Sequence, residues 1–143
     1  SVALESKARP ISTVQSQEPV SLNIIATLKN PVDGLVIAYA IKTISGDLIH
    51  SSNTSLLGVN LEGIGSEIDL TFDFENFPLL EGMYEIDVGA HSLDGSTLYT
   101  QVNGAKRFTL TNPSKGAGVA DLSVKAKLRR FFLFFLFNKK GDT

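Results

Sequence analysis

The side chains best suited to chemistry in this sequence are two histidines and a line of carboxylates. His91 stands in the same period-two phase as Asp87 and Glu85, and an imidazole beside a carboxylate can do acid–base work. The same pattern describes the solvated face of a strand, where groups lack the burial that perturbs a catalytic pKa. His50 is the only other histidine, no His-x-x-x-His spacing occurs, and cysteine is absent. Zinc is therefore offered neither paired imidazoles nor thiolates. There is no Gly-x-x-x-x-Gly-Lys-Ser/Thr phosphate loop and no Gly-x-Ser-x-Gly elbow. Acidic residues are spread along the chain rather than gathered as in a calcium loop. Asn53-Thr54-Ser55 matches a glycosylation sequon, a tripeptide common by chance. The expectation is a chain with no catalytic centre, no cofactor and no bound metal.

Positioning these side chains falls to a series of short strands. Tyr84, Ile86, Val88 and Ala90 alternate with Glu85, Asp87, Gly89 and His91, as in a strand with one buried face. Asp94-Gly95 tolerates the positive φ of a tight hairpin, and Thr97 to Val102 returns from it. Asn103-Gly104 reads as a second turn and Lys106 to Leu110 as a third strand, which makes a β-meander introduced by Pro78 to Gly82. Upstream, Ile68, Leu70, Phe72 and Phe74 alternate with Glu67, Asp69, Thr71 and Asp73; slipping that register by one residue would bury carboxylates. Val20 to Leu28, Leu35 to Ile44 and Leu48 to Asn53 are further strands, with a turn at Asn30 to Gly34 and a loop from Thr54 to Gly65. Val2 to Ser6 and Val119 to Val124 are short candidates, and Pro10 confines Ala8 to Gln15 to an edge or linking role. Seven or eight short strands with turns between them and no helical periodicity predict an all-β fold, an immunoglobulin-like antiparallel β-sandwich. Its core is expected to hold Leu22, Ile24, Tyr39, Ile41, Ile68, Leu70, Phe72, Tyr84, Ile86, Val88 and Phe108.

At 143 residues and 43% hydrophobic, the chain can bury one core without staples. The absence of cysteine fits a reducing compartment. Ser1 begins the chain without an initiator methionine or a signal-like apolar run, which suggests an excerpt from a longer protein. Charge divides the chain in two. Residues 125–143 carry six cations against Asp142, a net +5, so residues 1–124 sum to −7. An acidic body argues against a nucleic-acid partner. Residues 1–124 are accordingly read as the sandwich and 125–143 as a basic, phenylalanine-rich tail. Phe131 to Phe137 holds five of the nine phenylalanines and is too short to span a bilayer as a helix. It lacks the one-sided polarity of an interfacial helix, although the flanking Lys and Arg would suit a membrane surface; a buried swapped strand, or a non-native extension from a vector or an altered reading frame, are the other readings.

Taken together and in order, several stretches resemble one family. Phe77-Pro78-Leu79-Leu80-Glu81-Gly82-Met83-Tyr84-Glu85-Ile86-Asp87-Val88 is similar to an "LPLLPGxYxLxV" stretch found in the C-terminal carbohydrate-binding domain of Wzt-type proteins. These are the ATP-binding subunits of O-antigen polysaccharide ABC exporters. Ser45-Gly46-Asp47-Leu48-Ile49 with Asn53-Thr54, Leu93-Asp94-Gly95-Ser96-Thr97-Leu98-Tyr99, Asn103-Gly104-Ala105-Lys106-Arg107-Phe108 and Gln17-Glu18-Pro19-Val20 resemble further family stretches in sequence. Glu81 stands where the family has proline and Gln17 where it often has glycine. The resemblance covers about residues 1–124 and implies a dimerising sandwich, with or without strand exchange, that binds exported polysaccharide. It further implies an ATPase domain upstream, a membrane transporter subunit as partner, and a cytoplasmic location on the inner face of the inner membrane.

If that resemblance holds, strand parity points to a glycan site. With Ile37, Tyr39 and Ile41 facing the core, Val36, Ala38, Ala40 and Lys42 face outward, beside Glu85, Asp87, Gly89 and His91. Small Ala38, Ala40 and Gly89 would leave a trough rimmed by Lys42, Glu85, Asp87 and His91, with Tyr99 or Gln101 completing it. The alternative is a structural or adhesive sandwich that carries no glycan, whose outer face is only a solvated acidic sheet.

Overall fold

Alternating hydrophobicity becomes two packed sheets in the computed structural model, which describes residues 1–30, 32, 34–63 and 65–130. Nine strands appear among them: β1 (Val2–Ser6), β2 (Arg9–Pro10), β3 (Thr13–Gln15), β4 (Val20–Thr27), β5 (Val36–Thr43), β6 (Leu48–Asn53), β7 (Glu67–Phe74), β8 (Gly82–His91) and β9 (Leu98–Thr111). One sheet runs β2-β1-β4-β7 and the other β3-β9-β8-β5-β6. The expected all-β sandwich is the fold. Every pairing is antiparallel except β3 with β9.

The β4–β7 ladder shows how pattern sets register. Leu22 opposes Phe72, Ile24 opposes Leu70 and Ala26 opposes Ile68, and directly opposed residues share a face. The acidic members Glu67, Asp69 and Asp73 stay exposed on the other face. Between the sheets the aromatics form a continuous row. Tyr39 meets Phe72 and Phe74 edge-on, Phe74 stacks on Phe77, Phe77 on Phe108, and Phe108 on Tyr84. Ten of the eleven expected core residues are buried, and Leu70 is half-buried and packed against them. Leu4, Val14, Val20, Leu35, Ile37, Leu61, Phe77, Leu79, Ala90 and Leu110 complete the cluster among the described residues.

Pro10 does mark an edge. The two-residue β2 ends the first sheet, and two residues later β3 joins the second sheet beside β9. Ser12 O accepts the Thr109 N–H at 2.9 Å as the chain crosses.

Two expectations are corrected. Asn103-Gly104 is no turn: β9 runs unbroken from Leu98 to Thr111, with a register shift that sets residues 103–105 against Asp87. The meander is therefore a hairpin with one long, bulged arm. Val119 to Val124 does not form a strand either. It makes one bridge, Leu79 to Ala120, flanked by the Leu80 N–H on Val119 O at 2.7 Å. The turn expected at Asn30 to Gly34 includes Pro31 and Asp33, and the phenylalanine run of the tail begins at Phe131; these lie outside the described residues.

Candidate functional site

Ala38 and Ala40 of β5 and Gly89 of β8 have little or no side chain, so the outer face of the five-stranded sheet sinks along their row. Gly89 lies opposite Ala38 on one side and Gln101 on the other. The result is a groove of about 260 Å³, bordered by Ser51, Ser52 and Asn53 from β6, Asp87 and His91 from β8, and Gln101 from β9. Leu56 and Leu98 also border it, and both are largely exposed. Hydroxyl, amide, carboxylate and imidazole groups thus surround a shallow floor with apolar patches beside it. That combination can bind a polyhydroxylated ring, whose hydroxyls need donors and acceptors and whose C–H faces need apolar contact.

Asp87 is the anchor of this face. Parity directs it outward, yet it is 8% exposed, a correction to the solvated rim position expected for it. The cause is that two neighbours close over its carboxylate. Lys42 Nζ stands 2.9 Å from Oδ2, and the Gly104 N–H donates to Oδ1 at 2.7 Å. The second bond exists because the β9 bulge turns its backbone toward Asp87, with Gly104 at φ +63°. The hydrogen bond to Asp87 raises the Lys42 ammonium above its ordinary pKa, with desolvation opposing it more weakly.

The other predicted residues divide. His91 borders the groove, and its Nδ1–H donates to Ser92 O at 2.7 Å, so Nε2 is the nitrogen a ligand would meet. Asp87 and His91 are four strand residues apart, about 13 Å, and form no proton-passing pair. Gln101 borders the groove and donates from Nε2 to Asn103 Oδ1 at 2.7 Å. Lys42 does not border it, being held on Asp87. Glu85 is engaged by Arg107, whose Nε donates to Oε2 at 3.1 Å with Nη2 on the same oxygen. Tyr99 is exposed and outside the groove. Val36, expected to face outward, is buried, with the turn at 58–62 and Leu93 gathered beside it.

The parity argument did not reach Ser51, Asn53, Leu56 and Leu98: the first two and Leu98 lie beside register shifts, and Leu56 is in the loop beyond β6. Lys42 opposes Leu48, but Ile41 opposes His50, so one extra residue of β6 flips its faces. Ser51 and Asn53 then oppose Ala40 and Ala38 and join the groove, while His50 stays exposed on the other face and its Nδ1 meets the Tyr39 hydroxyl at 3.2 Å. Beyond β6, Asn53 Oδ1 accepts the Leu56 N–H at 2.8 Å, and buried Thr54 exchanges two bonds with Ile37, at 3.0 and 3.1 Å. These bonds fix Leu56 against the groove. On β9 the extra residue is Tyr99, lying between Leu98 opposite His91 and Thr100 opposite Ala90.

Comparison with known proteins adds the family. The family model described as the Wzt C-terminal domain matches residues 1–122. The chain belongs to that family. A crystal structure of the C-terminal domain of Wzt superposes with a TM-score of 0.75 at 17% identity, covering 89% of this chain and 80% of that one, a likeness of fold. A β-glucosidase from Listeria innocua in complex with glucose is a looser match, at a TM-score of 0.43 and 12% identity over 78% of this chain and 16% of that one. None of the curated proteins matches.

Within this Wzt C-terminal domain, the Phe77–Val88 stretch has a clear structural task. Phe77 and Leu79 are buried, and the Tyr84 hydroxyl donates to Leu80 O at 2.5 Å, folding the connection back over β8. Asn112 completes the brace: its Nδ2 donates to Leu79 O at 2.7 Å and to Asp121 Oδ2 at 2.8 Å.

Proposed function

We propose that this domain binds an O-antigen-type polysaccharide for export by an ABC transporter, using the groove over Ala38, Ala40 and Gly89. The observation that carries the reading is the groove's make-up: a floor without side chains, Ser51, Asn53, Asp87, His91 and Gln101 around it, and exposed Leu56 and Leu98 alongside. Family membership supports the ligand class. Of the residues predicted from parity, Asp87, His91 and Gln101 meet the glycan; Lys42 and Glu85 act through their ion pairs, and Tyr99 contributes only at the margin. The test is a glycan-array screen of the domain followed by calorimetric titration with the best binder. Ala40→Phe should abolish binding while leaving the fold intact. A fully folded Ala40→Phe domain that binds as tightly as the parent would move the site elsewhere, and an array without binders would favour the ligand-free structural reading.

The same reading assigns the domain to a longer chain with an ATPase upstream, working with a membrane transporter subunit at the cytoplasmic face of the inner membrane. It also makes the domain a homodimer. Supporting this, Leu122, Val124 and Leu128 are exposed at 84, 81 and 77%, and with Ala126 they alternate with Ser123, Lys125, Lys127 and Arg129. An extended segment with one apolar side needs a surface to cover it, and a second copy provides one. Light scattering on the chain and on a Leu122→Asp/Val124→Asp variant tests this; a monomeric parent chain would refute it.

A further inference from the structure

The groove over Ala38, Ala40 and Gly89 is not uniform along the strands. At one end Asp87 opposes Ala40, which in turn opposes Ser51, so that end is bordered by a carboxylate and a hydroxyl. Four strand residues further on, about 13 Å, His91 opposes Leu98. On the other flank Thr54 is bonded to Ile37, and the chain beyond it brings Leu56 to this same end. Leu56 and Leu98 are 75 and 61% exposed, and both border the groove. One end is thus polar and the other apolar.

Two further features narrow what the groove can hold. None of the described residues lining it is a lysine or an arginine. Its carboxylate, Asp87, already holds Lys42 and the Gly104 N–H, and residues 1–124 carry −7. An anionic sugar would therefore meet no counter-charge and a repelling body. A flat aromatic platform is also absent among the described residues. The chain has no tryptophan, the Tyr39 ring is turned into the core against Phe72, and Tyr99 lies outside the groove. What remains is a pair of branched aliphatic side chains at one end, which suits a small apolar substituent better than the broad face of a ring.

We infer that the groove selects a neutral 6-deoxyhexose, with ring hydroxyls toward Asn53, His91 and Gln101 and the C6 methyl group at the end flanked by Leu56 and Leu98. The inference rests on the glycan reading and narrows its ligand. In a sugar with a hydroxymethyl group at that carbon, the C6 hydroxyl would leave water for aliphatic side chains that offer it no hydrogen bond, which weakens binding. Its removal cancels that loss and leaves a methyl group on apolar surface. Burial of one such group strengthens binding about fourfold. A carboxylate at the same carbon would be the least favoured, since it adds an unpaired charge.

The test uses matched sets of oligosaccharides of manno, gluco and galacto configuration. Members of a set differ only at C6 of one ring, which bears a methyl, a hydroxymethyl or a carboxylate group. The full chain is screened against all sets and titrated with the best one. The methyl member should bind at least about fourfold tighter than the hydroxymethyl member, and the carboxylate member should bind most weakly. Leu56→Ser/Leu98→Ser should bring the methyl-to-hydroxymethyl ratio close to one, with unaltered melting curves excluding a folding defect. Ala40→Phe should abolish binding of every member. Binding that Ala40→Phe abolishes but that is indifferent to C6 or favours the carboxylate would overturn this inference and leave the glycan reading standing. A ratio unchanged in the leucine variant would do the same. Binding to no set, or binding that survives Ala40→Phe, would overturn the glycan reading and this inference with it.

Discussion

Asp87 on β8 holds Lys42 of β5 at 2.9 Å with one carboxylate oxygen and the Gly104 amide of β9 at 2.7 Å with the other. One side chain thus ties three adjacent strands together across the outer face of the sheet. Removing it should loosen the bulge. Asp87→Ala leaves the Gly104 N–H without its partner, at about 1–3 kcal/mol; Asp87→Asn retains an acceptor and should cost clearly less. Denaturant unfolding of the two variants separates the terms. Equal losses would mean that the ion pair, and not the bulge, depends on Asp87.

Gly104 provides the complementary test. Its φ is +63°, and an added Cβ would meet only Glu85 atoms at 3.7 Å and beyond. The cost of Gly104→Ala is therefore backbone strain alone, about 1–2 kcal/mol. A neutral substitution would show that the bulge can relax.

Phe72 is 6% exposed and packs edge-on against Tyr39 with centroids 4.9 Å apart. Phe72→Ala should lower stability by about 3–5 kcal/mol through the cavity it leaves. An unchanged melting curve would contradict the register of β4 with β7.

Asp94 accepts from the Ser96 amide and from the Ser92 and Ser96 hydroxyls. These bonds, the amide first, draw its pKa from 3.8 down to about 2. A depressed carboxylate contributes stability above its unfolded pKa and loses it as pH falls through the folded value. The Asp94 contribution should therefore vanish between about pH 4 and pH 2, and Asp94→Asn should flatten that part of the pH–stability curve. A wild-type curve already flat there would refute the assignment.

The groove floor yields a graded prediction. A Cβ at Gly89 would lie 3.4 Å from Thr100 O and 3.9 Å from Gln101 Cγ, so Gly89→Ala should fold with little adjustment. Gly89→Leu should fill the floor and weaken glycan binding by more than about tenfold, which is 1.4 kcal/mol. Titration of both variants measures the step between them.

Period-two alternation was enough to establish a sandwich and nearly its whole core. Side chains such as Phe72, Ile86 and Phe108 must leave water, and strand parity says on which face they do so. Ala38, Ala40 and Gly89 were legible as a trough for the same reason, because parity holds along an unbroken ladder such as β5 with β8. Beyond that ladder counting was not enough, although Gln101 of β9 does border the groove. One extra residue in β6 brought Ser51 and Asn53 to the groove and turned His50 toward Tyr39; another, Tyr99 in β9, left the tyrosine outside it. Bulges arise where neighbouring strands twist and compete for hydrogen bonds, which is settled between strands and not within one. The burial of outward-pointing Asp87 has the same origin. Its neighbours Lys42 and Gly104 come from two other strands, and only the assembled sheet brings them to one carboxylate.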